Sequence, residues 1–370
     1  MKIDRIETIP ISVPIHPARA IKGSSGYHTT SPFLLVKVYT DEGVVGLGEV
    51  SCTPRWSGED NVTAGHFIET ILSPVLIGND PTHIEHLSFA MAAALPGNAF
   101  TRSGIEMALW DILGKVASLP LYRLLGGPVR NFVPTKFSIS GLEPALAAEI
   151  AAWAAEQGFT AMKVKVGINP NEDIARVRAV REAIGPDVRL GVDSNGGWPV
   201  RTAIQTIRKM QDYDIFFAEQ PVPAQDVAWL ADVRRNVDVP IMADESVYTP
   251  EDALNLIKAD AADILSVYVG KGGIGQARRT CAVAEAAGIV CTVGSNLELG
   301  VASAAMIHLA MSTLGIAAEE FPCDILTPFY YEEDILAEPL PIIAGEARPL
   351  EKPGLGVELN EEVVEKYRVR

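Results

Sequence analysis

Apolar and polar positions alternate along residues 2–15, and FLLVKVYT (33–40) and VVGLGEV (44–50) repeat that two-residue period on either side of Asp41-Glu42-Gly43. Alternation of this kind turns one face to a core and the other to water. The spacing therefore predicts strands, the last two joined as a hairpin. The period then changes. Apolar residues recur every three to four positions over about 61–75, 82–95 and 101–125, and the last run closes at Leu125-Gly126-Gly127-Pro128, which predicts helices. Strands followed by helices suggest an α+β unit over residues 1–130.

From about 132 the two periods interleave. Strand-like runs stand at 133–140, 160–166, 188–194, 215–220, 239–245, 262–269, 288–294 and 316–321, with helix-like stretches such as EDIARVRAVREAIG and AWLADVRRNV between them. Strands separated by helices imply a parallel sheet, and eight is the number that closes a barrel. An open doubly wound sheet is the other arrangement the pattern permits. The expected fold class is α/β: a modified TIM-like (β/α)-barrel over 131–324, with the N-terminal α+β unit as a capping domain. The Pro-, Glu- and Gly-rich segment 325–370 is too short for a domain and is expected to pack back on the cap.

Composition narrows the function. A chain of 370 residues that is 48% hydrophobic and 21% charged can bury a large core. Its net charge of −16 argues against nucleic acid, which needs clustered Lys and Arg to displace counterions. Cys52, Cys281, Cys291 and Cys323 lack CxxC or Cys/His spacing, so reduced thiols are expected. No stretch reaches the roughly 18 apolar residues of a membrane span, and the start MKIDRIETIPISVPI lacks a signal peptide's apolar run. A soluble, cytoplasmic protein is the expectation.

Candidate chemistry lies at the strand ends. Met162, Val164 and Val166 share one face of their strand, which leaves Lys163 and Lys165 together on the other. Two ammonium groups pointing into a barrel cost several kcal/mol each unless charge nearby compensates them. Asp193, Glu219 and Asp244 each end an apolar strand, separated by 26 residues (193 to 219) and 25 (219 to 244), one βα repeat apiece. Active sites assemble on that face of a barrel, so the three acids should converge there. Hard oxygen ligands without His or Cys suit Mg²⁺ rather than Zn²⁺. Lys271 and Glu298 continue the series at 27-residue intervals (244 to 271, 271 to 298), which sets Lys271 across the barrel from Lys165. A lysine base must be neutral, and a nearby ammonium or dication lowers its pKa toward neutrality.

Two competing motifs carry less. GKGGIG (270–275) follows a strand and matches a dinucleotide fingerprint, but the next strand, IVCTVGS, has no acid to bind a ribose. His16, His28, His66, His83 and His86 precede the barrel, and His308 lies in the apolar run ASAAMIHLAM, where a structural role is expected.

VVGLGEV and the 101–127 helix, followed in order by KVKVG, DSN, EQP, ADES, GKGGI and GSNLE, resemble the enolase superfamily, in particular the muconate lactonizing (muconate cycloisomerase) subgroup of the mandelate racemase/muconate lactonizing enzyme family. The ordered set spans essentially the whole chain. The resemblance implies Asp193, Glu219 and Asp244 as Mg²⁺ ligands and Lys165 and Lys271 as an acid/base pair on opposite faces of a substrate. It gives Lys163 the tuning of Lys165 and a hold on the substrate carboxylate, and Asn195 and Glu298 supporting places. No His ends the sixth or seventh strand, which disfavours the mandelate racemase branch, and the Lys-x-Lys strand disfavours enolase itself. The implied activity is Mg²⁺-dependent removal of a proton α to a carboxylate through an enediolate, in a muconate cycloisomerase-like isomerase that cyclises, racemises or epimerises a small carboxylate. Dehydration of a hydroxy acid or hydroxyproline-type substrate on the same site is the alternative reaction, and a catalytically silent metal-bound binding protein the non-enzyme alternative. The family's habit implies a homo-oligomer. Segments 16–31 and 51–60 are expected to close over the barrel mouth, with Tyr27, His28, Arg55 and Trp56 as candidates to meet substrate; Arg55 would suit a second carboxylate.

Overall fold

Three long alternating strands cannot bury their apolar faces alone, and each finds a partner. In the computed structural model, which describes residues 1–369, β1 (Ile3–Pro14) pairs antiparallel with β4 (Thr30–Thr40), and β4 with β5 (Val45–Ser51), after a short hairpin of β2 (Ile21–Gly23) and β3 (Gly26–His28). Helix Ala99–Ala117 lies across β5. A Cβ at Gly48 would stand 1.7 Å from the Gly104 carbonyl oxygen, so only glycine lets strand and helix approach this closely. The Asp111 carboxylate on that helix accepts the amides of Leu47 and Leu355 and the Lys115 ammonium, tying the cap to the C-terminal segment. Val369 also donates to the Pro10 carbonyl, and Lys37 pairs with Glu361.

Three short strands form a sheet of their own outside the barrel. β6 (Val133–Pro134) pairs not with the barrel but with β15 (Glu346–Ala347), which pairs with β14 (Ile342–Ile343). The barrel sheet is parallel and runs in chain order through β7 (Phe137–Ile139), β8 (Ala161–Lys165), β9 (Arg189–Asp193), β10 (Ile215–Glu219), β11 (Ile241–Ala243), β12 (Ile264–Val267) and β13 (Val290–Val293). Seven strands form, not the expected eight. Residues 316–321 make only isolated bridges, Cys291 with Ile316 and, just beyond, Thr135 with Cys323. The segment FPCD thus crosses the last gap as irregular backbone, with Asp324 N donating to the Val293 carbonyl. The sheet is a curled, incompletely closed TIM-like barrel, and an open doubly wound sheet is excluded by the strand order.

Strand alternation stacks the interior in layers. Phe217, Met242, Ile264 and Phe321 fill the lower layer, and Gly191 leaves room for the Phe217 ring, which a Cβ would meet at 2.3 Å. Two residues beyond Gly191, Phe217 and Met242 come Asp193, Glu219 and Asp244, so this part of the upper layer is charged. All four cysteines are buried and free. Among the described residues no helix is long and apolar enough to cross a membrane.

Candidate active site

The upper layer follows from register. Lys165 is the pairing partner of Asp193, and Asp193 of Glu219, so two acids and a lysine stand level on β8, β9 and β10. Asp244 follows the last residue of β11 directly. Each acid meets an ammonium. Lys165 Nζ donates to Asp193 Oδ2 at 2.6 Å, Lys163 Nζ to Glu219 Oε2 at 3.0 Å, and Lys271 Nζ to Asp244 Oδ1 at 2.5 Å. The two end acids are therefore approached by lysines from opposite ends of the cluster, with Lys163 in the middle.

Burial and charge set the protonation states. Burial by itself would lower Lys163, but Asp324, Glu219 and Asp193 surround it and hold the ammonium well above the ordinary lysine range. Burial raises Asp193, yet Lys165 and Lys163 outweigh it and bring the carboxyl down to about 2. Glu219 is pushed up to about 8, by burial first and then by repulsion from Asp193, Asp244 and Asp324 against the pull of Lys163. Glu219 is the acid least content with the charge around it.

Those acids suit a hard dication by donor chemistry. They are buried oxygen donors on adjacent strands, which lie about 4.8 Å apart. Their side chains turn to the lysines and not to one point: among the described residues no three His, Cys, Asp or Glu groups are gathered closely enough to hold a metal. The ammonium groups supply the compensating charge in this arrangement. To hold Mg²⁺, the side chains of Asp193, Glu219 and Asp244 would have to turn from the lysines toward one point.

A cavity opens above this layer, lined by Lys163, Lys165, Asp193, Asn195, Asp244, Asp324, Trp56 and His28, among others. Lys271 lies beside it, turned onto Asp244 and almost wholly covered. The hairpin 21–28 covers the mouth: Gly141 N donates to the Lys22 carbonyl, and Ser24 Oγ to the Asn195 carbonyl. Three expected contacts fall elsewhere. Tyr27 is 56% exposed and Arg55 reaches only the Ser25 carbonyl, at 3.4 Å, and neither lines the cavity. Glu298 turns inward, accepting from Ser295 Oγ and Asn296 N, so it shapes the loop 295–297 that does line it. Their sequence positions placed them on the right loops, but which way a loop side chain turns is settled by packing.

Two acids escaped the sequence reading. Asp324 accepts Lys163 at 2.9 Å and Lys136 at 3.0 Å through Oδ2, while its buried Oδ1 has no partner. An acid one repeat past Glu298 was the available signal. Strand alternation would turn Glu245 away from Asp244, but the strand ends at Ala243, and in the turn beyond it Glu245 Oε1 accepts Asn195 Nδ2 at 3.0 Å.

The GKGGIG turn is explained by the cap. Glu106 accepts Ile274 N and Gly275 N at 2.9 Å each, placing a carboxylate where a phosphate would bind, and a Cβ on Gly273 would meet that carboxylate at 2.5 Å. His308 is structural: its Nδ1 accepts Tyr122 N, and its Nε2 faces the Leu355 carbonyl.

A sequence profile described as Mandelate racemase / muconate lactonizing enzyme, N-terminal domain, matches residues 5–126, and one described as Enolase C-terminal domain-like matches 145–363. The N-succinyl-L-Arg/Lys racemase of Bacillus cereus is 35% identical, the match covering 100% of this chain and 98% of the racemase. Its crystal structure superposes with a TM-score of 0.93 at 34% identity, covering 100% and 99% of the two chains. Muconate cycloisomerase 1 of Rhodococcus opacus is 32% identical over 99% of this chain and 98% of its own. The structure of the dipeptide epimerase from Cytophaga hutchinsonii, complexed with Mg and the dipeptide D-Ala-L-Val, matches with a TM-score of 0.94 at 32% identity, covering 99% and 98%. All three relatives are isomerases by name, which supports that class here. With both profiles matched in order over the cap and the barrel, the chain belongs to the mandelate racemase/muconate lactonizing enzyme family of the enolase superfamily.

Proposed function

We propose that this protein is a Mg²⁺-dependent racemase or epimerase of a small carboxylate, moving one proton off and back onto the carbon beside the carboxyl group. The observation that carries this is the placement of Lys165 and Lys271 at the two ends of the acid cluster, on Asp193 and Asp244. Inverting a carbon needs one proton carrier on each side of it, and that is what two amines at opposite ends provide. Mg²⁺ held by Asp193, Glu219 and Asp244 would supply positive charge for the carboxylate as the α-proton leaves. Lys163, kept charged by its three acids, lines the cavity and offers a fixed cation to the substrate carboxylate. Asn195 holds Lys165 through Oδ1, and hairpin 21–28 keeps water from the mouth.

The names of the relatives supply a test panel: N-succinyl-arginine and -lysine, short dipeptides, and muconate. Transfer of solvent deuterium to the α-carbon of one of the first two groups is the expected result, with loss of optical activity for an N-succinyl amino acid or appearance of the diastereomer for a dipeptide. Cycloisomerisation is the second reading, supported by the likeness to muconate cycloisomerase over nearly the whole chain. Turnover of muconate with no exchange on any amino-acid derivative would favour it. No turnover of any member of the panel, with Mg²⁺ bound, would count for a silent binding protein.

A further inference from the structure

Trp56 belongs to the cap, yet its indole touches both halves of the lysine machinery. On one side, Nε1 donates to Glu245 Oε1 at 3.0 Å; the same oxygen accepts Asn195 Nδ2 at 3.0 Å, and Asn195 Oδ1 accepts Lys165 Nζ at 2.9 Å. A carboxamide has one donating and one accepting end. Glu245 claims the donating end, so the oxygen is left facing Lys165, where a flipped amide would set N–H against an ammonium. Glu245 Oε2 is buried without a partner, so the two donors on Oε1 are what hold this carboxylate. On the other side, the Trp56 ring joins Tyr248 and Tyr268 around Lys271, with Nζ at 5.8, 5.3 and 4.4 Å from the three centroids. Ring faces attract an ammonium, and the indole is itself fixed by its tilted contacts with Tyr248 and Tyr268 and its edge against Phe100. Its loop is pinned to the barrel by Thr53 Oγ1 on Asn296 Oδ1 at 3.0 Å.

We infer that Trp56 is a positioning residue that makes seating of cap segment 51–60 a condition for presenting Lys165 and Lys271 together, the first through its N–H and the second through its ring. The inference rests on the racemase reading and adds to it a structural link between cap closure and both proton carriers. A side chain that only filled space would not separate the two effects.

The test uses the full chain with Mg²⁺ and the two enantiomers of N-succinyl-lysine, following α-proton exchange from each in deuterium oxide. Trp56→Phe keeps an aromatic ring and removes the N–H. Exchange assigned to Lys165 should fall about 10- to 100-fold, the worth of one hydrogen bond to a charged group, while that assigned to Lys271 stays within about twofold. Trp56→Leu, which removes the ring as well, should lower both. A second measurement needs no substrate: the Trp56 indole N–H signal, identified in ¹⁵N spectra by its loss in Trp56→Phe, should shift in Glu245→Gln. Equal loss from both enantiomers in Trp56→Phe, no loss from either, or an indole signal indifferent to residue 245 would overturn the role. Absence of exchange by the unmodified enzyme with both enantiomers of N-succinyl-lysine and N-succinyl-arginine and with the short dipeptides alike would instead overturn the racemase reading, and the role with it, while the indole shift still reports whether the bond to Glu245 forms.

Discussion

Lys163 and Asp324 meet at 2.9 Å across the place where the barrel sheet fails to close, one from β8 and the other from the irregular FPCD segment. The same Asp324 oxygen holds Lys136 at 3.0 Å, so one carboxylate pairs with two buried ammonium groups and ties the eighth position of the barrel to the first and second. Removing one member of a buried ion pair leaves the others uncompensated.

Asp324→Ala should therefore cost about 3–5 kcal/mol of stability, read as a lower midpoint in urea unfolding. Replacing Lys136 with methionine in the same background should recover part of that loss, because it removes one of the stranded charges. No recovery would mean that Lys136 depends on the Pro322 carbonyl, which it also meets at 2.6 Å, and not on Asp324.

The acid cluster predicts a metal requirement. Treatment with excess chelator should abolish turnover, and Mg²⁺ should restore it. Asp244→Asn should weaken Mg²⁺ binding in calorimetry while circular dichroism stays unchanged, since Asp244 lies beyond β11 and its backbone N–H is held by Gln220 whatever its charge. Full activity in chelator would remove the metal from the account.

Lys165 and Lys271 should divide the two faces of the substrate carbon. Lys165→Ala should stop α-proton exchange from one enantiomer and Lys271→Ala from the other, with racemisation lost in both. A cycloisomerase or dehydratase would depend on a single lysine. Exchange from both enantiomers in both variants would show that neither amine is the base.

His308 predicts an acid limb in stability. Burial lowers its pKa to about 4, against the backbone bond to Leu355, from an ordinary value of 6.5. The unfolded chain therefore binds the extra proton first as pH falls. The stability contributed by a neutral His308 is complete above pH 6.5 and is lost down to about pH 4, at up to about 1.4 kcal/mol per unit of pH. His308→Gln should be less stable at pH 7 but should flatten that slope between 6.5 and 4, as measured by unfolding at stepped pH.

Much of this was legible in the residues because it depends on strand parity and repeat length. Lys163 and Lys165 share a face by alternation alone, and Asp193 and Glu219 are level because one βα repeat separates them. The eighth strand was not legible. Residues 316–321 have a strand's apolar content but pair only at single bridges, because ladder formation depends on the curvature of the seven strands already in place.

The chain by itself determined the order of elements, the apolar plug beneath the charged layer and the identity of the acids and lysines that end the strands. These are consequences of covalent spacing and of which side chains water rejects. Tertiary structure alone decided who pairs with whom. Asp324 became the partner of two lysines, Glu106 took the helix end that GKGGIG offers, and Trp56 came to lie between Glu245 and Lys271. Each of those contacts joins residues far apart in the chain. Their meeting depends on how the cap sits on the barrel and how the last gap closes, and no local period in the sequence encodes either.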